Sequence, residues 1–88
     1  MHAVVVRVTI NDREAALQRL KQDVVPGVSQ APGFQTGHWT SKDNSGLAMV
    51  IFDSEENART AADRVPEGIP EGVVTLEGVE VREVDASA

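Results

Sequence analysis

The chain has 88 residues, fourteen acidic against eight basic side chains, a net charge of −6 and no cysteine, which bounds it to a single domain over residues 1–88 and excludes disulfides and thiolate metal sites. An acidic surface of this kind repels phosphate backbones, so no nucleic-acid partner is expected. No stretch approaches the ~20 apolar residues of a membrane span, so no membrane partner is expected, and the opening Met1 to Val4 lacks the basic region and apolar run of a signal peptide, which makes cytoplasmic residence the expectation.

Residues 3–10 are dominated by β-branched side chains and predict a strand. Alternation sends Val4, Val6, Val8 and Ile10 to one face and Ala3, Val5, Arg7 and Thr9 to the other. Asn11 and Asp12 end the strand and offer a helix cap. From Arg13 to Val25 the spacing is helical, with Ala16, Leu17, Leu20, Val24 and Val28 on one stripe and Arg13, Gln18, Lys21 and Gln22 on the wet side. Pro26 and Gly27 are expected to kink or end this helix, because proline removes a donor and clashes with the preceding turn. A further helical turn over 28–31 then leads to a turn at Pro32 and Gly33.

Phe34 to Lys42 predicts a second strand, Asp43 to Gly46 a hairpin loop, and Leu47 to Phe52 a third strand that is apolar at every position. Asp53 or Ser54 caps a second helix over 54–65, whose apolar stripe is Ala58, Ala61, Ala62 and Val65. Residues 66–72 predict an irregular connection, 73–76 an extended segment and 79–84 the last strand, before a polar tail expected to fray.

The order strand, helix, strand, strand, helix, strand is that of an α+β, ferredoxin-like βαββαβ fold, an antiparallel sheet with both helices on one face. A strand apolar on both sides needs cover on both sides. The two helices cover only one face, and the chain has no spare element for the other. A homodimer joined through its sheet faces is the simplest cover. It would also add buried surface to a chain that buries only roughly 60–65% of its unfolded area.

The segment from Pro26 to Trp39, with its proline late in the helix, then Ala31, Pro32, Gly33 and Phe34, then Gly37 two before Trp39, resembles the helix-to-strand segment of the antibiotic biosynthesis monooxygenase family. Residues 50–58 resemble that family's third-strand end and second-helix start. The resemblance implies a dimeric α/β barrel with a cavity between helices and sheet or within the barrel. Some relatives oxidise polycyclic aromatic substrates with oxygen and no cofactor, and others cleave haem. The haem-cleaving set, an asparagine on the first strand, a tryptophan ending the third and a histidine on the second helix, is not matched: Phe52 stands at the tryptophan position, residues 54–65 hold no histidine, and Asn11 follows the first strand. No cofactor is expected.

Within that resemblance His38 is the one candidate base, since cofactor-free oxygenation needs a group that deprotonates the substrate. Its structural reading is a strand histidine with its tip in water or bonded to a backbone group. Arg7 is the candidate charge stabiliser, or else the partner of an acid such as Glu80 or Glu83. Phe34, Met49, Phe52 and Trp39 are candidate cavity-lining residues, with an interface or core anchor as the structural reading of Trp39. Alternation puts Trp39 and His38 on opposite faces. His2 and His38 have no spacing that joins them, and no metal site is expected. Two functions follow: a cofactor-independent monooxygenase acting on an aromatic or quinol-type molecule, or a non-catalytic barrel that binds a small apolar or aromatic ligand or serves a stress or accessory role. The absence of tyrosine, the unmatched haem-cleaving set and the lone histidine away from the start of the chain favour the second, and the count of three aromatic residues weakens the first.

Overall fold

The computed structural model describes residues 1–88. Strand β1 (His2–Ile10) leads into a helical run of three parts: α1 (Arg13–Arg19), a π-helical stretch (Leu20–Val24) and α2 (Val25–Ser29). Strands β2 (Phe34–Lys42) and β3 (Ser45–Phe52) form a hairpin, followed by α3 (Glu55–Gly68) and β4 (Val74–Glu83). The sheet order is β2-β3-β1-β4, antiparallel at every junction. This α+β arrangement is compatible with the ferredoxin-like fold expected from the element order.

Both helical runs start at side-chain caps. The Asp12 carboxylate accepts from the Ala15 N–H at 3.1 Å, and the Ser54 hydroxyl accepts from the Asn57 N–H at 3.2 Å. Caps of this kind contribute about 1 kcal/mol each. Pro26 does not end the first run. The Val25 N–H reaches back five residues to the Leu20 carbonyl, and this wider turn resets the ladder just before the residue that has no N–H to give. The run closes with the Ala31 N–H bonded to the Val28 carbonyl at 3.0 Å.

Three expected boundaries are corrected. The hairpin needs only Asp43 and Asn44 between its strands, because Asp43 takes the left-handed region at φ 55°, which aspartate tolerates. Helix α3 passes through Pro66 to Gly68. The last strand is continuous, because a bulge opposite the Arg7–Val8 step absorbs one extra residue, Glu77, where a break was expected.

A second bulge, between Phe34 and Thr36, positions the core. It lets Phe34 sit opposite Phe52 while Gly37 sits opposite Val50 and Trp39 opposite Ala48, so all three β2 residues share the helix-covered face. Without the extra residue, Phe34 and Trp39, five apart, would point to opposite faces. Val4, Val50, Phe52 and Ala58 form the buried core, and Phe34 meets Phe52 edge to face, with ring centroids 6.4 Å apart.

Candidate functional site

The two helical runs treat the sheet differently. Helix α3 lies against β4, β1 and β3, and α2 lies against β2, whereas α1 and the π-helical stretch are held mainly by their chain neighbours. No residue of Arg13–Ser29 is buried. A helix that stands off its sheet leaves a gap below its apolar stripe. Here the gap is a cavity of about 310 Å³. Val4, Val6 and Val50 line it from the sheet, and Leu17, Leu20 and Val24 from the helical run. Ala61 and Val65 of α3 border it as well, as do Trp39 and Phe52.

The predicted stripe of the first helix, Ala16 to Val28, is thus a cavity wall, and Leu17 remains 44% exposed. Trp39 holds its place because Gly37, two residues earlier on the same face, leaves room for the indole.

The cavity's charged residues are Arg13, Arg19 and Arg64, all exposed at its rim, and no acidic residue, histidine or lysine lines it. Arg13, expected on the wet side of its helix, crosses to the hairpin. It donates to the Asp43 carbonyl at 2.8 Å and to the Ser41 hydroxyl at 2.9 Å. Arg19 pairs with Asp23 at 2.8 Å.

Three other sequence candidates, His38, Arg7 and Met49, lie on the opposite, uncovered face of the sheet. Register sets Glu80, Val5, Met49 and His38 side by side across the four strands, with Arg7 beside Leu47 and Gly78 in the next row. His38 is exposed, and its ring is on the far side of the sheet from the cavity. Met49 is 45% exposed and does not line the cavity, since alternation along β3 sends it away from Phe52. Phe34 packs on Phe52 and the core instead of facing the cavity. Trp39 and Phe52 are therefore the two candidate lining residues that the structure brings together there.

Arg7 sits in an ion-pair cluster. Its Nη1 lies 3.6 Å from Glu80 Oε1, and Arg82 Nη2 lies 3.1 Å from Glu80 Oε2. Gly78 leaves room beside the guanidinium, since a methyl group there would stand 2.9 Å from the Arg7 Nη2. Sequence reasoning missed Arg64 as a rim residue. The available signal was its place three residues after Ala61 and next to Val65 in the α3 stripe. In comparisons with known proteins, no family model and no curated protein matches the chain.

Proposed function

We propose that the protein binds a small apolar molecule between its first helical run and its sheet, as a non-catalytic dimeric barrel related to the antibiotic biosynthesis monooxygenases. The observation that carries this reading is the 310 Å³ cavity with aliphatic walls beneath a helix that has no buried residue. That volume falls at the lower end of ligand pockets, roughly 300–1,000 Å³. A bound apolar molecule would supply the contacts that α1 lacks. The oxygenase chemistry of the resemblance needs a base at the substrate. His38, the candidate base, and Arg7, the candidate stabiliser, lie across the sheet from the cavity, which favours binding over catalysis.

The dimer part of the proposal has its own support. The uncovered face presents Leu47, Met49 and Ile51, with Leu47 and Met49 44% and 45% exposed and Val5 already buried beside them. Large apolar side chains grouped on one face mark an interaction surface. Its charges on β1 and β4 balance, Arg7 and Arg82 against Glu77 and Glu80, although the whole chain carries −6. A second copy can meet the β1 and β4 half of this face without burying net charge, with Lys42 at the hairpin end of β2 as the further cation of the face.

The test is titration with N-phenyl-1-naphthylamine, a neutral apolar fluorophore, followed by probe emission and by quenching of Trp39. One saturable site per chain, lost in the cavity-filling variant Ala61→Leu while its far-UV circular dichroism is kept, is the expected result. Absence of saturable binding by the folded wild-type protein would overturn the proposal.

A further inference from the structure

We infer that the cavity takes an amphipathic anion, an apolar body bearing one carboxylate, with the body between the helices and the sheet and the carboxylate on the guanidinium of Arg64. This rests on the reading of the cavity as a ligand site and adds the class of ligand. The observation is a charge asymmetry. The chain holds fourteen acidic and eight basic residues, yet the charged residues around the cavity are three arginines and no acid. Random placement on so acidic a surface would favour the opposite sign.

The three arginines are not equivalent. Arg13 is committed to the hairpin through Asp43 and Ser41, and Arg19 to Asp23 at 2.8 Å. Arg64 enters no ion pair with any acid of the chain. Its planar fork is free to take a carboxylate through two parallel hydrogen bonds. It extends from the same α3 face as Ala61 and Val65, so an anion there is continuous with the apolar wall. A neutral apolar ligand gains nothing from this cation, and a ligand with two or more charges would have to place one of them against aliphatic side chains, which is costly. One charge at the rim and an apolar remainder is the chemistry that fits both halves of the site.

The experiment compares decanoate with 1-decanol, which share the chain and differ in charge, by quenching of Trp39 in the wild-type protein and in Arg64→Gln, Arg64→Lys and Arg64→Glu. Arg64 is exposed, so these variants are expected to fold. Decanoate affinity should fall roughly two- to fivefold in Arg64→Gln, the size of an exposed charged contact. It should fall further in Arg64→Glu and recover in part in Arg64→Lys, while decanol affinity stays unchanged in all three. If both ligands bind and Arg64→Gln affects neither, or affects both equally, the anion assignment is overturned and the apolar cavity reading survives. If neither ligand binds the folded protein, both readings fall together.

Discussion

The indole of Trp39 lies over the α-carbon of Gly37, so that a methyl group at Gly37 would stand 2.8 Å from Cη2 and 2.9 Å from Cζ3 of the ring. The glycine leaves room for the tryptophan: the two lie two residues apart on one face of β2, and Trp39 lines the cavity. Gly37→Ala should therefore force the indole out of its place. The expected outcome is a loss of about 1–3 kcal/mol in urea unfolding, the usual size of an overpacking penalty. A red shift of tryptophan emission and weaker binding of apolar probes should accompany it. Unchanged emission together with unchanged stability would show that the ring has another position of equal energy.

Gly33 gives a second case in which a small residue sets the geometry. It has φ 80°, its carbonyl accepts from the Asp53 N–H at 2.9 Å, and the side chains of Asp53 and Asn57 occupy the space where a Cβ would go. Gly33→Ala should cost at least the ~1–3 kcal/mol of a residue held in the left-handed region. Gly33→Asn separates the two causes. Asparagine tolerates that backbone, so if conformation alone mattered it would restore most of the stability. Because Asp53 and Asn57 block the side chain as well, Gly33→Asn should be nearly as unstable as Gly33→Ala in the same denaturation measurement.

These two glycines show why the sequence was informative about fold and less so about the site. The apolar periods of β1, β3 and the first helix, and the turn chemistry of Pro32 and Gly33, are local signals, and they gave the element order and the two faces of β1 correctly. Helix α1 stands off the sheet, and no side-chain period records how far a helix lies from a strand. The bulge before Thr36 moves Phe34 to the face of Trp39, a change set by one unpaired residue that simple alternation cannot anticipate. Met49 is different. Strict alternation along β3 already separates it from Phe52, and grouping the two as one wall neglected that period.

The positions of His38 and Arg7 lead to a prediction about the cavity. Neither lines it, and the Arg7 and Glu80 side chains are 59% and 37% exposed. Ion pairs this open contribute about 0–1 kcal/mol. His38→Ala and Arg7→Ala should each leave the affinity for N-phenyl-1-naphthylamine within experimental error, and Arg7→Ala should lower stability by no more than about 1 kcal/mol. A large loss of probe binding in His38→Ala would instead place that histidine in contact with the ligand and restore the case for a catalytic base.

The dimer prediction rests on symmetry. In a twofold interface every substitution enters twice, once from each copy. Met49 is at the centre of the uncovered face, between Val5 and His38 in the row that crosses all four strands. Met49→Glu would set two carboxylates against an apolar partner surface. Each would lose hydration without gaining a partner, at an effective cost of several kcal/mol per ion. Because 1.4 kcal/mol is a factor of ten in a dissociation constant, the combined penalty should raise it by about a hundredfold or more. Sedimentation equilibrium at micromolar concentration should find the wild-type protein at twice the 9.4 kDa chain mass and Met49→Glu at the mass of one chain. The variant should also melt lower, since it loses the cover over Leu47 and Ile51. A wild-type protein that sediments as a monomer at 100 µM would rule out the sheet-face dimer.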